Sequence, residues 1–242
     1  MRDIKNKTVL LTGAARGLGK ELARLLALER CALILVDRED ADAPAPARFL
    51  RCDLSDPTQR SALIESLRHE KIDILINCAG VGSHSARAQL SVEETRRVMQ
   101  INALAPLELM AGLTPLSLIV NIGSVAGEMP LPSMSLYAAS KAALHTFTRA
   151  LASEGADAML VMLGPLRGTD FVKSIEHPRK GQPRWYRALD VDAPAAAQKI
   201  LRAIRRGSRE LIFPAWYGAV IQIERGARGI LRRVFLSNSG YL

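Results

Sequence analysis

The chain alternates short apolar runs with longer segments in which apolar and polar residues are mixed. The apolar runs predict strands near residues 8–12, 32–36, 47–51, 72–77, 117–123, 158–163 and 210–213. The mixed segments predict helices near residues 17–29, 92–112 and 136–153. Short apolar runs followed by turn or polar residues are typical of strands buried on both faces of a parallel sheet. The alternation therefore predicts an α/β fold, a single domain with a doubly wound parallel sheet and helices on both faces.

Two connections and the end of the chain depart from this alternation. The segment between the second and third strands is short and proline-rich, which predicts a trimmed connection without a full helix. Residues 170–195 are polar and interrupted by proline, and they predict a long loop that caps a substrate pocket. We therefore expect a sheet domain over residues 1–213 and an extension over residues 214–242.

Composition narrows the class of protein. With 242 residues, 48% of them hydrophobic, the chain can bury one sizeable core but is short for two independent domains. No secretory signal and no run long enough to span a bilayer is evident, which favours a cytoplasmic protein. The cysteines and histidines show no metal-ligand spacing, so no metal site is expected. These residues are Cys31, Cys52, Cys78, His69, His84, His145 and His177.

The histidines are expected to be surface residues or to have local partners. His84 and His177 fall in the loops expected to shape a substrate pocket, so a pocket-lining role is an alternative for these two.

Positive charge is concentrated near the C-terminus. Residues 199–242 contain nine Lys or Arg and two Glu, which accounts for most of the net charge of +9. No nucleic-acid motif and no aromatic platform accompanies this charge, so nucleic-acid binding is the least favoured function.

The extension contains an apolar stripe at helical spacing, with most of its arginines on the opposite side. It predicts a basic amphipathic helix, for which two alternatives stay open. The helix packs on the protein's own body or a second subunit, or it contacts an anionic membrane surface as a peripheral anchor. The stripe consists of Trp216, Val220, Ile223, Ala227, Ile230 and Val234, with Arg225, Arg228 and Arg232 opposite.

A glycine-rich turn follows the first strand and opens the first helix. Gly13, Gly17 and Gly19 lie in "VLLTGAARGLGKELARLLA". Glycines there permit a tight turn and close backbone approach, and the helix N-terminus offers N–H groups to a pyrophosphate. The pattern indicates a dinucleotide site.

The second strand ends in Asp37, about 20 residues beyond the glycines. A carboxylate there accepts hydrogen bonds from ribose hydroxyls and repels a 2'-phosphate, which favours NAD over NADP. Arg16 and Arg38 are close in sequence and could pair with that phosphate, so NADP is the alternative cofactor.

Tyr137 and Lys141 are four residues apart on a predicted helix, so their side chains share one face. A nearby ammonium favours the phenolate and would lower the pKa of Tyr137. Ser124 ends a strand upstream, where its hydroxyl could polarise a carbonyl oxygen that the phenol protonates. This trio indicates acid-base chemistry on a carbonyl or an alcohol.

These ordered motifs resemble those of the short-chain dehydrogenase/reductase family. "TGAARGLG" is similar to the family's TGxxxGxG turn, "YAASK" to its YxxxK, and Ser124 to its catalytic serine. "NCAG" at residues 77–80 resembles its NNAG element, and Asp53 resembles the acid that meets the adenine ring. Asn102 lies where the family has the fourth member of a Ser-Tyr-Lys-Asn tetrad; a local capping or helix-bending role is the alternative.

The resemblance implies a Rossmann-like fold, a homo-oligomer and an NAD(P)-dependent oxidoreductase that interconverts a secondary alcohol and a ketone. Ser124, Tyr137, Lys141 and Asn102 are the implied catalytic residues. After the sixth strand, "MLGPLRGTD" departs from the family's pattern, so Thr169 is only loosely placed as a nicotinamide contact. The implied cofactor-binding residues are Gly13, Arg16, Gly17, Leu18, Gly19, Asp37, Arg38, Asp53, Leu54, Asn77, Ala79, Gly80, Tyr137, Lys141 and Thr169.

A second class of function is a non-catalytic protein of the same fold that senses a dinucleotide or binds a partner. Such a protein needs the glycine turn but has no use for a positioned phenol. The Ser124, Tyr137 and Lys141 pattern therefore favours the enzyme.

Overall fold

The structure is a computed structural model that describes residues 2–41, 44, 46–83, 90–113, 116–129, 133–167 and 191–226. Its centre is a sheet of seven parallel strands in the order β3-β2-β1-β4-β5-β6-β9. These strands are β1 Thr8–Thr12, β2 Ala32–Asp37, β3 Ala47–Arg51, β4 Ile74–Asn77, β5 Leu118–Ser124, β6 Ala158–Leu163 and β9 Glu210–Phe213. Two short strands, β7 Leu166–Arg167 and β8 Val191–Asp192, form a separate parallel pair.

Strand order reverses between β1 and β4. In open α/β sheets, the ligand crevice lies at such a switch point, at the carboxyl ends of the strands. The helices are α1 Gly17–Leu28, α2 Pro57–Leu67, α3 Val92–Met99, α4 Ala105–Gly112, α5 Ser135–Ser153, α6 Ala193–Arg206 and α7 Trp216–Gly226. A π-helical turn over Gln100–Leu104 joins α3 to α4, and a 3-10 turn over Val125–Gly127 follows β5. The predicted α/β fold with a doubly wound, Rossmann-like parallel sheet is confirmed.

Helices cover both faces of the sheet and divide the core into two layers. On one face, Leu22 and Leu26 of α1 and Ile200 of α6 belong to one apolar cluster with alternate residues of β1, β2 and β6. On the other face, α2, α4 and α5 pack on the intervening residues, with Leu109 of α4 and Leu144 of α5 at the centre. Both faces of each central strand are therefore covered, which explains why the strand sequences are apolar at consecutive positions.

Two helices were not predicted from the sequence. Helix α2 has a weak apolar stripe because Arg60 takes a buried position, but Asp56 caps its N-terminus and Pro57 follows as first residue. Helix α6 begins at Ala193, so the predicted loop over residues 170–195 is wrong at its C-terminal end. Residues 191–195 belong to β8 and α6, and residues 168–190 lie outside the described part of the chain.

Between β2 and β3, no helix occurs among the described residues, as the short proline-rich segment predicts. The predicted helix at residues 92–112 is helical throughout but contains the π-helical turn.

Helix α7 packs on the body through a different face from the one that the apolar stripe predicts. Tyr217 and Ile221 are buried, whereas the stripe residues Trp216 and Ile223 are 42% and 56% exposed. Helix α7 packs on β9, so the first half of the extension lies against the protein's own body. Within the described residues, no helix combines the length and the apolar character that a membrane span requires. Membrane contact through the extension stays a prediction, and residues 227–242 lie outside the described chain.

Candidate active site

The glycine turn connects β1 to α1 at the crevice. Gly13 has φ +70° and its N–H donates to the Val36 carbonyl oxygen at 2.8 Å, which holds the turn against β2. Gly19 packs so closely that an added Cβ would lie 1.9 Å from the Gly13 oxygen. Arg16 occupies the N-cap position of α1 without a side-chain capping hydrogen bond. The first N–H groups of α1 are therefore not capped by Arg16, as an anion site at a helix N-terminus requires.

Not every residue of the turn can contact a ligand through its side chain. Leu18 is buried in the apolar layer beneath α1, so only its backbone can face the crevice. Gly17, with φ +53°, is the first residue of α1.

Two carboxylates lie at the end of β2: Asp37 is its last residue, and Glu39 follows two residues later. One Asp37 oxygen accepts the Ala15 N–H at 2.9 Å, which ties the end of β2 to the glycine turn. Glu39, which sequence reasoning missed, pairs with both arginines considered for a 2'-phosphate. Its Oε1 lies 2.7 Å from Arg16 Nη2 and 3.4 Å from Arg38 Nε. All three side chains are substantially exposed, so these pairs are rearrangeable.

The loop after β3 forms the next part of the crevice rim. Asp53 accepts hydrogen bonds from the Ser55 N–H at 2.8 Å and its hydroxyl at 2.7 Å. The Leu54 side chain is buried in the α2 and α4 layer, and its carbonyl oxygen accepts from Arg60 Nη1 at 2.8 Å. Local hydrogen bonds thus fix the backbone at Asp53 and Leu54.

The segment after β4 is fixed by Thr12, whose role sequence reasoning missed. Its hydroxyl oxygen accepts the N–H groups of Cys78 and Ala79 at 3.1 Å each. Asn77 points into the sheet layer and donates to Asn121 Oδ1 at 2.8 Å. Its Oδ1 is buried without a hydrogen-bond partner among the described residues. Asn77 therefore supports the sheet beneath the crevice, while Ala79 is part of its backbone wall.

Ser124 and Tyr137 meet at the carboxyl end of β5. Ser124 is half-buried and its side chain hydrogen-bonds to Tyr137, which is buried near the start of α5. Burial raises the pKa of Tyr137 to about 12, and the hydrogen bond from Ser124 opposes that rise. Removal of a phenol from water penalises its charged form.

Lys141 lies one helical turn beyond Tyr137. Its Nζ donates to the Ile122 carbonyl oxygen at 2.9 Å, and burial lowers its pKa to about 8. The expected lowering of the Tyr137 pKa by Lys141 does not occur in this geometry, where burial is the larger effect on both groups. Lys141 Nζ and Asn102 Oδ1 each lie 3.4 Å from the position that a Cβ on Gly80 would take.

Asn102 lies in the π-helical turn, a feature common at functional sites. Its amide exchanges two hydrogen bonds of 2.9 Å with the Val81 backbone and donates to Ser140 Oγ at 3.0 Å. The turn thereby links the segment after β4 to α5. Both interpretations of Asn102 are compatible with this position, because it bends a helix and lies beside Lys141.

His145 is buried one turn beyond Lys141, with hydrogen bonds to the Ser124 backbone and to Glu128. Sequence reasoning expected a surface or locally satisfied histidine, and the second alternative holds. Neither its contact with Ser124 nor the role of Glu128 could be found from spacing alone.

The structure thus brings Ser124, Tyr137, Lys141 and Asn102 together beside the glycine turn. Thr169, His84 and His177 lie outside the described residues. Within the described ranges, no group of three or more His, Cys, Asp or Glu side chains is arranged to hold a metal ion.

A doubly wound sheet with a glycine turn and a helix N-terminus at its switch point is typical of dinucleotide-binding α/β proteins. A family profile described as short chain dehydrogenase matches residues 7–180, more than half of the chain. The chain belongs to this family of oxidoreductases.

Among curated relatives, the ketoacyl reductase HetN of a Nostoc species is 36% identical over 172 residues, which cover 64% of this chain and 60% of that protein. The uncharacterized oxidoreductase TDA5 of Saccharomyces cerevisiae is 29% identical over 90% of this chain and 71% of its own length. The match thus spans less than two thirds of the Nostoc protein.

Solved structures agree on the fold over nearly the whole chain. A short-chain dehydrogenase from Sphingobium yanoikuyae in complex with NADPH superposes with a TM-score of 0.78 at 27% identity. It covers 94% of this chain and 95% of its own. A short-chain dehydrogenase from Burkholderia cenocepacia in complex with NADP has a TM-score of 0.81 at 25% identity, covering 97% and 99%.

Proposed function

We propose that this protein is a nicotinamide-dependent oxidoreductase that interconverts a secondary alcohol and a ketone. The observation that carries the proposal is the hydrogen bond between Ser124 and Tyr137, with Lys141 on the next turn of α5 beside the glycine turn. A protein that only senses a dinucleotide needs the glycine turn to bind it. It does not need a phenol and a hydroxyl placed together at the crevice.

The residues around the crevice fit a dinucleotide. The backbone of Gly13 to Gly19 and the N-terminus of α1 would hold the pyrophosphate, while Asp37 and the Asp53 loop would hold the adenosine end. Lys141 would donate to the ribose next to the nicotinamide. When bound, the nicotinamide supplies or accepts the hydride in the reaction. The relatives crystallised with NADPH and NADP support this class of cofactor.

The protein's own contribution is the proton. With a pKa near 12, Tyr137 carries its proton at neutral pH, which is the form that donates to a carbonyl oxygen. Ser124 would hold that oxygen within reach of the phenol. The buried Lys141 places a positive charge near any negative charge that develops on Tyr137, where low polarity strengthens the interaction. Asn102 would hold α5 and the segment after β4 in register through Ser140 and Val81.

The test is turnover by Tyr137→Phe, which keeps the ring and removes only the hydroxyl. Wild-type protein is screened with NADH and NADPH against aliphatic and aromatic ketones and acetoacetyl-CoA, included because one relative is a ketoacyl reductase. We expect Tyr137→Phe to bind cofactor normally and to lose at least ~10²-fold in turnover, as is usual on loss of a general acid. Tyr217→Phe, a buried tyrosine of α7, is the matched control.

Equal turnover by Tyr137→Phe and wild type would refute the proposed chemistry. A wild type that binds NADH but turns over no alcohol or ketone would favour the sensor class instead.

We further propose that NAD(H) is the preferred cofactor. Asp37 repels a 2'-phosphate, and Glu39 pairs with both arginines that would otherwise attract one. Two carboxylates and two arginines leave no net positive charge at the end of β2. A structural relative from Burkholderia phymatum in complex with NAD shares the fold.

Cofactor titrations test this preference. Asp37→Ser and Glu39→Gln should each raise NADPH affinity relative to NADH by about 10-fold, equivalent to about 1.4 kcal/mol. Asp40→Asn is the control, because its carboxylate pairs with Arg51 instead. A wild type that already binds NADPH more tightly would show that Arg16 and Arg38 prevail over the carboxylates.

The proposed substrate is a small alcohol or ketone. Residues 84–89 and 168–190, part of the segments that the sequence predicts to shape the pocket, lie outside the described residues. The homo-oligomer and the division at residue 213 stay predictions.

A further inference from the structure

A buried histidine contacts the backbone of Ser124 directly. His145 is 1% exposed and its Nε2 lies 3.3 Å from the Ser124 backbone nitrogen. Its other ring nitrogen, Nδ1, lies 3.0 Å from Glu128 Oε1. His145 is on the same helix as Tyr137, eight residues further along, and faces the end of β5.

The hydrogen bonds determine the tautomer of His145. A backbone N–H can only donate, so Nε2 must accept from Ser124 and carries no proton. The ring proton is therefore on Nδ1, which donates to the Glu128 carboxylate. Burial lowers the pKa of His145 below its ordinary value and keeps the ring neutral at neutral pH.

Glu128 is itself held in place. Its Oε1 accepts from Arg149 Nη1 at 2.6 Å, and Arg149 Nε donates to Glu210 Oε1 at 2.7 Å. This chain of ion pairs connects α5, the turn after β5 and β9. A histidine ring oriented by a carboxylate in this way has both a fixed tautomer and a fixed position.

The ring is packed against the backbone on both sides of Ser124. A Cβ on Gly123 would lie 2.3 Å from His145 Nε2, and a Cβ on Gly127 would lie 2.5 Å from its Cε1. Between these glycines, Ser124 Oγ accepts the Ala126 N–H at 3.2 Å. The ring therefore fills the space that shapes the Val125–Gly127 turn and sets where the Ser124 hydroxyl points.

We propose that His145, oriented by Glu128, is a positioning residue that holds the Ser124 backbone so that its hydroxyl meets Tyr137 and the substrate oxygen. This role rests on the proposed alcohol and ketone chemistry. Helix α5 would then contribute to the site twice, through Tyr137 and Lys141 and, one turn further on, through His145.

Protonation of His145 would remove the hydrogen bond that Nε2 accepts from the Ser124 N–H. Nε2 would then carry a hydrogen that faces the Ser124 N–H, so the bond is lost. Three charged groups act on the ring: Glu128 raises its pKa, and Lys141 and Arg149 lower it. Because burial lowers the folded pKa below the ordinary value of 6.5, the ring is neutral at neutral pH, and the neutral form is lost as pH falls through the folded pKa.

Two substitutions test the hydrogen bonds of the two ring nitrogens separately. In His145→Gln the side-chain oxygen reaches the position of Nε2 and can still accept from Ser124. In His145→Asn the shorter amide reaches only the position of Nδ1, so the bond to Glu128 survives and the bond to Ser124 is lost. His69→Asn is the matched control, because His69 is exposed after α2.

We expect His145→Asn to lower kcat for a ketone found in the screen at least ~10-fold, with the NADH Kd unchanged, because misplacement of a positioned group slows the chemical step. His145→Gln should stay within about threefold of wild type, with some loss of ring packing. Thermal unfolding identifies any variant whose loss of turnover follows from unfolding. Equal kcat for the Asn and Gln variants, at equal Tm, would overturn the proposal.

The pH profile is a readout that packing alone would not change. Wild-type kcat should fall on the acid side below pH 6.5, whereas His145→Gln should lack that decline. An acid limb of the same shape in both proteins would also overturn the proposal. An inactive wild type would refute the proposed reaction together with this role. An active wild type with indistinguishable His145 variants would refute only the role of His145.

Discussion

Arg60 is a buried cation that links two parts of the crevice rim. It is 1% exposed, and its guanidinium binds both oxygens of Glu108 at 2.6 and 2.9 Å. It also donates to the Leu54 carbonyl oxygen at 2.8 Å and to Gln100 Oε1 at 2.6 Å. Leu54 follows Asp53, and Gln100 begins the π-helical turn that carries Asn102.

Arg60→Met keeps most of the apolar stem and removes all four hydrogen bonds. The buried Leu54 oxygen and the Gln100 amide lose their donor, and Glu108, 40% exposed, recovers part of its hydration. Loss of one partner of a buried ion pair costs about 3 to 5 kcal/mol, and the exposure of Glu108 places this case near 3 kcal/mol. With about 2.1 cal/mol/K of unfolding entropy per residue, 242 residues give a fall in Tm of about 6 °C.

Thermal unfolding at pH 7 measures this fall, with Arg51→Met as the control. Arg51 pairs with Asp40 at 2.6 Å, but both side chains are largely exposed, so no measurable change in Tm is expected. The hydrogen bond from Arg60 lowers the pKa of Glu108, so this part of the stability is present above pH 4.5. It is lost as pH falls through the folded pKa, and the difference between wild type and Arg60→Met should shrink accordingly.

Equal Tm values for Arg60→Met and Arg51→Met would refute the assumption that burial determines the strength of these pairs. A difference that does not change with pH would show that the Leu54 and Gln100 hydrogen bonds, and not Glu108, provide the stability.

Two further predictions concern the glycine turn and Lys141. Gly19→Ala should abolish NADH binding in a fluorescence titration and lower Tm, because its Cβ would lie 1.9 Å from the Gly13 oxygen; Gly218→Ala, with 3.6 Å to Ile212, should be neutral. Lys141→Met should raise the free energy of unfolding of the cofactor-free protein at pH 7 by at most about 3 kcal/mol, because burial lowers the pKa of Lys141 to about 8, and its Tm should rise accordingly. That gain should be complete below pH 8 and vanish by pH 10.5, where lysine is neutral in both states; a lower Tm at pH 7 would contradict it.

Local patterns were sufficient to predict most of the fold. The strands were found because parallel strands covered on both faces are continuously apolar, and β6 and β9 have the predicted bounds. Helix α5 was found from its length and composition. The positions of Ser124, Tyr137 and Lys141 followed from one strand end and one helical repeat. Such features depend on neighbours in sequence, so a single chain carries them.

Contacts between distant residues could not be predicted in this way. Glu39 pairs with Arg16, and Glu128 holds His145, through side-chain geometry that spacing does not contain. Helix α2 was missed because the apolar period is broken at Arg60, whose partner Glu108 is 48 residues away. The pKa of Tyr137 was expected to fall beside Lys141, yet burial dominates it. Burial is a property of the packed chain as a whole.

The two faces of the sheet differ in what their helices bury. Among the described residues, α1 and α6 bury only apolar side chains and glycine. The opposite layer also buries polar side chains, and each of them must be hydrogen-bonded to offset the cost of removing it from water. Each of these groups is bonded to the backbone or to a partner that shapes the crevice. They are Arg60, Asn77, Asn102, Asn121, Ser140, Lys141, His145 and Thr148.

This distribution separates the two tasks of the fold. The α1 and α6 layer stabilises the sheet and presents the glycine turn. Beyond that turn, its buried side chains serve packing. The α2, α4 and α5 layer gives up part of its apolar packing to position Ser124, Tyr137 and Lys141. Conservative apolar changes at Leu22 or Ile200 should therefore alter stability without altering kcat. Changes at His145 or Asn102 should alter kcat more than stability, because their hydrogen bonds set the geometry of the reacting groups.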